Sequence, residues 1–203
     1  MALVCRGCGD NIQPLVDVAA QAIRCPTCDH VEAQRIVPLW IVTGASGVGK
    51  TTVVAALRSL LPAWEIFDTD IIHAADWQQH RSNWLRLAHA IAQNGRYTLL
   101  CGTMLPQDVD RCDHRALFSQ VYYLNLHCDD ATRAARLLAR PAWRQCHTPE
   151  FVEQHRQFAH WLLDHAATHF DPPMPTVDTT HATPQAVAEQ IRDWARQPLR
   201  SFP

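Results

Sequence analysis

The sequence predicts an α/β protein with a parallel sheet, preceded by a small metal-binding segment. Three observations predict this class: strand and helix patterns alternate from residue 39 onward, a glycine-rich loop joins the first of these strands to a helix, and two Cys-x-x-Cys pairs stand near the amino terminus. The chain has 203 residues, of which 47% are hydrophobic. This length suits one α/β domain of ordinary size plus an appendage.

Charge and hydropathy exclude several classes of protein. The net charge is −2 with neutral histidines, so the chain lacks the overall basic field of most duplex-binding proteins. No apolar run reaches membrane-spanning length, and the start, Met1–Cys5, lacks the features of a signal peptide. We therefore expect a cytoplasmic protein with no membrane partner.

The two cysteine pairs have the spacing of a zinc ribbon. Sixteen residues separate Cys5-x-x-Cys8 from Cys25-x-x-Cys28, and each pair can aim two thiolates at one ion. Scattered reduced cysteines or a redox pair are the alternatives. We assign residues 1–38 to the ribbon and its connector, and residues 39–203 to the α/β domain. A closed four-cysteine site is normally structural, but the ribbon could equally bind nucleic acid or a protein partner.

The glycine-rich loop predicts a nucleoside triphosphate site. Residues 44–51 read Gly-Ala-Ser-Gly-Val-Gly-Lys-Thr and fit the P-loop pattern G-x-x-x-x-G-K-[ST], in which backbone N–H groups surround phosphate oxygens. A strand is predicted over 39–43 and a helix over 52–61, so the loop stands at a helix N-terminus. Lys50, the only lysine in the chain, would reach the β- and γ-phosphates, and Thr51 would bind Mg²⁺. The predicted nucleotide-binding residues are Gly44, Ala45, Ser46, Gly47, Val48, Gly49, Lys50, Thr51 and Thr52.

Further elements follow from the apolar pattern. Strands are predicted over 64–68, 97–101, 121–126 and 174–178, and helices over 80–93, 130–139, 149–169 and 184–196.

With its P-loop, its Asp68-Thr-Asp70 segment, its arginines at 133–144 and this element order, the chain resembles the small P-loop kinases over about residues 39–197. This family includes nucleoside, nucleotide, shikimate and gluconate kinases. The resemblance implies a three-layer α/β/α fold with a five-stranded parallel sheet of order 2-3-1-4-5, and ATP with Mg²⁺ as cofactors.

The same resemblance suggests catalytic residues besides Lys50. We expect Asp68 to face the Mg²⁺ shell and Asp70 to face the acceptor hydroxyl, with helix capping as the alternative for both. We also expect Arg136 and Arg140 to belong to a lid over the triphosphate, with a solvated basic face as the alternative.

Two departures from the family leave the acceptor open. The strand at 97–101 ends in Cys101 rather than an acid, so either Asp68 takes the magnesium role or Thr51 and the phosphates hold the ion alone. The following loop has no arginine and only Gly102 as glycine. Cys101, Cys112, Cys128 and Cys146 show no pairing and are expected in the core.

Three functions fit these residues. The leading interpretation is an ATP-dependent kinase of a small acceptor, with a nucleoside or nucleotide as the first guess. The alternatives are a nucleotide-dependent switch that recruits a protein through the ribbon, and a polynucleotide 5′-hydroxyl kinase guided by the ribbon. Nucleic acid is the less favoured partner because residues 1–38 contain three arginines and no aromatic residue.

Overall fold

The computed structural model describes residues 3–72, 74–144 and 146–200. The chain forms two compact units. The first unit consists of residues 1–39, 71–98 and 104–121, and the second of residues 40–70, 99–103 and 122–203. The first unit thus contains the segment predicted as the ribbon together with two segments that the sequence analysis assigned to the α/β domain.

The elements closely follow the predicted order. The strands are β1 (Leu3–Val4), β2 (Asn11–Ile12), β3 (Leu15–Asp17), β4 (Ala22–Arg24), β5 (Val31–Ala33), β6 (Leu39–Thr43), β7 (Trp64–Asp68), β8 (Tyr97–Cys101), β9 (Val121–His127) and β10 (Thr176–Asp178). The α-helices are α1 (Lys50–Leu60), α2 (Trp77–Gln93), α3 (Pro106–Val109), α4 (Asp130–Leu138), α5 (Pro149–His165) and α6 (Pro184–Arg196). No helix in these described ranges has the length and apolarity needed to cross a bilayer.

The amino-terminal part of the first unit has little hydrophobic core. Strands β1 and β2 form an antiparallel pair, and β3, β4 and β5 form a separate antiparallel sheet. One small cluster contains the buried residues Cys5, Ile12 and Cys25, with Leu3 packed against it. So few apolar side chains supply little stabilisation, which is why a metal is the expected organiser of this segment.

The connector after β5 is fixed to helix α2 within the same unit. The Arg35 backbone N–H donates to Gln93 Oε1 at 2.9 Å, and Gln93 Nε2 donates back to the Arg35 carbonyl at 3.0 Å. The Arg35 guanidinium also lies 5.3 Å from the centre of the Tyr97 ring. The connector is therefore held by specific contacts rather than forming a free linker.

The second unit is built on the five-stranded parallel sheet, whose order is β10-β9-β6-β8-β7. Numbered along the chain from β6, this is the predicted order 2-3-1-4-5, which is confirmed. All five residues of the central strand β6 are buried, as expected for a strand covered on both faces. Trp40, Ile41 and Val42 pair in register with residues 99–101 of β8.

Two helix boundaries differ from the predicted ones by three or more residues, for local reasons. Helix α2 begins at Trp77, three residues earlier than predicted, because the Asp76 side chain accepts the Gln79 N–H at 2.7 Å and caps the helix there. Helix α5 ends at His165, four residues earlier than predicted. The chain turns after it, and the Met174 N–H reaches the Ala166 carbonyl at 2.8 Å.

Candidate active site

The loop between β6 and α1 requires glycine at three positions. Gly44, Gly47 and Gly49 have φ values of 143°, 90° and 101°, a region that other residues rarely adopt. A Cβ on Gly44 would lie 2.5 Å from the Leu126 carbonyl oxygen, so the backbone there is also too close to β9 for a side chain. Glycine at these three positions lets the loop backbone approach a ligand closely, as phosphate binding demands.

The N-terminus of α1 differs from those of the other long helices. Helices α2, α4, α5 and α6 begin with a side-chain cap, supplied by Asp76, Asp129, Thr148 and Thr183 respectively. Within the described residues, α1 receives no side-chain cap at Gly49. Its first N–H groups can therefore bind an anion, which fits the phosphates of a nucleotide.

The ammonium of Lys50 is folded back onto the loop. Its Nζ donates to the carbonyls of Gly44 at 2.6 Å and Ala45 at 2.9 Å. Burial lowers the pKa of Lys50 to about 8, and the charge of Arg140 adds to this, while the carboxylates of Asp70 and Asp68 oppose it. Asp68, Asp70 and Arg140 are thus each close enough to Lys50 to act on its charge.

The two aspartates stand at the carboxyl end of β7, where the chain turns into a 3₁₀ helix over Thr69–Ile71. Asp68 is half-buried and its Oδ1 accepts the Asp70 backbone N–H at 3.0 Å, whereas Asp70 is exposed. Thr69, between them in the sequence, is buried against Gly102. A Cβ at position 102 would overlap the Thr69 side chain. This turn lets both carboxylates act on Lys50 despite their i, i+2 spacing.

The last position of strand β8 supplies no acid. Cys101 is buried there, and burial, together with the charge of Asp68, raises the pKa of its thiol to about 12. A neutral thiol is a poor ligand for Mg²⁺, which prefers oxygen. Thr51 and Asp68 instead have side-chain oxygens that could bind Mg²⁺. Cys112, Cys128 and Cys146 are also buried, which confirms their assignment to the core.

The predicted arginines have different surroundings. Arg133 is fully buried and pairs with Asp130 at 2.6 Å, so it is part of the core. Arg136 donates to the Thr179 carbonyl at 2.9 Å and to Thr179 Oγ1 at 3.2 Å. Arg140 lies beyond the end of α4.

Arg136 and Arg140 line one cavity of about 350 Å³ beside the glycine loop. Its other walls include Gly49, Thr52, Thr179 and Pro184. Arg136 also lies 3.5 Å from the Gly47 carbonyl, and Thr179 Oγ1 donates to the Val48 carbonyl at 2.8 Å. The cavity therefore adjoins the phosphate-binding loop and is large enough for a heterocyclic base.

The four predicted zinc ligands lie together in the first unit. Their Sγ atoms all lie within 4.8 Å of one another, with Cys5–Cys28 at 3.7 Å and Cys8–Cys25 at 3.9 Å. Four sulfurs at zinc-bonding distance from one ion would be about 3.8 Å apart in a tetrahedron, so the group fits Zn²⁺.

The two halves of this cysteine group have matching backbone geometry. The Gly7 N–H donates to Cys5 Sγ at 3.3 Å, and the Thr27 N–H donates to Cys25 Sγ at 3.4 Å. Gly9 follows the first pair with a positive φ of 79°, and Asp29 follows the second with a positive φ of 57°. Each cysteine pair therefore forms the tight turn that a metal site requires.

One residue beside the loop is not indicated by any sequence pattern. His155, on α5, accepts the Ser46 backbone N–H through Nδ1 at 3.1 Å. The two residues are 109 positions apart. No spacing or motif links them, so only the packing of α5 reveals the contact.

Comparison with known proteins supports the fold. No protein-family model matches the sequence, and no curated protein sequence matches it. Among solved structures, a sugar kinase from Janibacter sp. HTCC2649 is 18% identical with a TM-score of 0.54, over 78% of this chain and 94% of that one.

Two further structures have the same architecture. A gluconokinase from Sinorhizobium meliloti 1021 is 15% identical with a TM-score of 0.55, over 83% of this chain and 98% of that one. A deoxyadenosine kinase from M. mycoides with bound dATP is 16% identical with a TM-score of 0.51, over 78% and 100% of the two chains. The chain therefore has the fold of the P-loop kinases that act on small molecules and nucleosides.

Proposed function

We propose that the protein is an ATP-dependent phosphotransferase that acts on a small hydroxyl-bearing acceptor. The observation that carries this proposal is the glycine loop that joins β6 to the uncapped N-terminus of α1 and holds the Lys50 ammonium, whose charge Asp68, Asp70 and Arg140 influence. Phosphoryl transfer needs a phosphate cradle, cations around the moving group and a carboxylate for the acceptor hydroxyl. These residues can supply all three.

Each residue then has a distinct task. ATP supplies the phosphoryl group, and Mg²⁺ neutralises charge on its phosphates. The N–H groups of residues 49–52 bind phosphate oxygens, and Lys50 exchanges its two carbonyl partners for them. Thr51 and Asp68 would hold the magnesium, and Asp70 would orient the acceptor hydroxyl and accept its proton. Arg140 would contribute further positive charge to the site.

The cavity next to the loop supports a nucleotide as the phosphoryl donor. Arg136 links the Gly47 carbonyl to Thr179, and Thr179 in turn holds the Val48 carbonyl. A base in this cavity would thus contact residues that also hold the loop in place. We assign the base of ATP to this cavity.

The cysteine group is proposed to bind zinc and to act as a brace. The connector's hydrogen bonds with Gln93 favour this role over a mobile recruiting module. The brace stabilises the first unit, whose amino-terminal part has little apolar core of its own.

The test is ADP release from ATP and Mg²⁺ across nucleosides, mononucleotides, small sugars, sugar acids and 5′-hydroxyl oligonucleotides, with Lys50→Ala as control. We expect one class of small acceptor to raise the rate strongly in the native protein and not in the variant. A rise with oligonucleotides alone would identify a polynucleotide kinase instead. A flat panel with tight, Lys50-dependent ATP binding would contradict the proposal and favour a nucleotide-dependent switch.

A further inference from the structure

His155 lies over the phosphate-binding loop and is held there from two sides. Its Nδ1 accepts the Ser46 N–H at 3.1 Å. One turn earlier on α5, the Phe151 ring packs against the imidazole with centroids 4.3 Å apart. The side chain is half-buried, so the ring is not fully enclosed by the protein. The imidazole is therefore oriented by the protein before any ligand binds.

The hydrogen bond determines where the ring carries its proton. A nitrogen that accepts a hydrogen bond has no proton, so the neutral ring must carry its hydrogen on Nε2. Burial, and with it the charges of Lys50, Arg133 and Arg140, lowers the pKa of His155 to about 4. At neutral pH the ring is thus an uncharged donor with its N–H directed away from Ser46.

The hydrogen bond to Ser46 places the ring beside the proposed phosphate site, because Lys50 donates to the carbonyls of the two preceding residues, Gly44 and Ala45. Lys50 and Arg140 are the two cations assigned to the phosphates, and both act on His155. Arg133, the third cation that lowers the pKa of His155, is buried and already pairs with Asp130. Phosphoryl oxygens are acceptors only, so a fixed N–H donor among these cations would complete their coordination.

We propose that His155 is a phosphoryl-binding residue: Nδ1 anchors the ring on the Ser46 N–H, and Nε2–H donates to an oxygen of the transferring γ-phosphoryl group. This inference rests on the proposed phosphotransferase function. It assigns to α5 a donor that no motif in the sequence indicates. The histidine would stabilise the charge of the moving phosphoryl without adding a further cation to the site.

Three variants of His155 distinguish the proposed donor role of Nε2–H from the anchoring role of Nδ1. His155→Asn keeps an acceptor near the position of Nδ1 but has no group at Nε2, whereas His155→Gln can place an N–H near Nε2. His155→Ala has neither. His160→Asn is the matched control, because His160 lies on the same helix, is exposed and pairs with Asp130 at 3.1 Å.

We expect His155→Asn to keep the melting temperature and the Mg²⁺-ADP affinity of the native protein and to lose about 100-fold in kcat. His155→Gln should recover part of that loss, and His160→Asn should behave like the native protein. Native kcat in His155→Asn would overturn the proposal, because the ring would then serve only to anchor the loop. Tighter nucleotide binding by an equally active His155→Ala would also overturn it, because the ring would then compete with the phosphates.

A second readout needs no acceptor. Ring ¹⁵N spectra should show the Nε2–H tautomer in the free protein, and the pKa of His155 should rise when Mg²⁺ and a non-hydrolysable ATP analogue bind. ADP, which lacks the γ-phosphoryl group, should produce a much smaller rise. Equal responses to both nucleotides would overturn the proposal even if the protein is a kinase. A selective response in a protein with no acceptor would leave this inference standing while the kinase assignment fails.

Discussion

At the scale of single residues, the contacts of Lys50 show how the loop is arranged to bind phosphate. Its ammonium uses the Gly44 and Ala45 carbonyls as partners that phosphate oxygens would replace. The burial that holds it there also lowers its pKa to about 8. Only the protonated amine attracts phosphate, and bound phosphate raises the pKa again. Nucleotide binding above pH 8 must therefore take up a proton.

This linkage predicts the pH dependence of nucleotide affinity. The Kd for Mg²⁺-nucleotide should be flat from about pH 7 to about 8, where Lys50 is already charged, and should then rise about tenfold per pH unit. Calorimetric titration across this range measures it. Lys50→Arg keeps a permanent charge, so its weaker binding should show no break near pH 8. A native affinity that stays flat well above pH 8 would contradict the assigned role of Lys50.

A second residue-scale prediction concerns Gly102. A Cβ there would overlap the Thr69 side chain, which is buried between the two aspartates. Gly102→Ala should lower the free energy of unfolding by about 1 to 3 kcal/mol and reduce kcat by displacing Asp68 and Asp70. Denaturant unfolding and steady-state rates give the two values. The double variant Gly102→Ala/Thr69→Gly should recover part of the stability, and purely additive losses would rule out this contact as the cause.

At the scale of elements, the end of α4 separates two arginines by task. Arg136 lines the cavity and contacts the Gly47 carbonyl and Thr179. Arg140 lies after the last residue of the helix, and its charge lowers the pKa of Lys50. Arg136→Ala should weaken nucleotide binding about tenfold, and Arg140→Ala should mainly lower kcat. Arg156→Ala, which removes an exposed partner of Glu153, is the control. Identical effects of both substitutions on affinity and rate would show that the two arginines form one functional group.

The cysteine pairs form the second element with a direct test. The purified protein should contain about one zinc per chain, measured by atomic emission, since four thiolates close one site. Cys8→Ser and Cys28→Ser should lose the metal, whereas Cys146→Ser, a buried cysteine outside the group, should keep it. Chelation should also increase hydrogen exchange at the Gly7 and Thr27 amides, which donate to sulfur. Full zinc content in Cys8→Ser would refute a four-cysteine site.

At the scale of the whole molecule, local signals predicted the sheet and its loop, because the glycines and apolar strands act through neighbours in sequence. The order of the strands came from the family resemblance and is confirmed by the structure. The cysteine group was predictable from spacing alone, since each pair folds locally. His155 was not predictable, because its contact with Ser46 depends on how α5 packs. The same holds for Arg133, which belongs to the basic run 133–144 but is buried against Asp130.

The most direct test of the central claim, phosphoryl transfer to a small acceptor, is mass spectrometry of the acceptor after incubation with the protein, ATP and Mg²⁺. We expect a phosphorylated product from one acceptor class. In Asp70→Asn, this product should form about 100-fold more slowly, with nucleotide affinity unchanged. ADP formed at one rate with or without every acceptor, and no phosphorylated product, would contradict it.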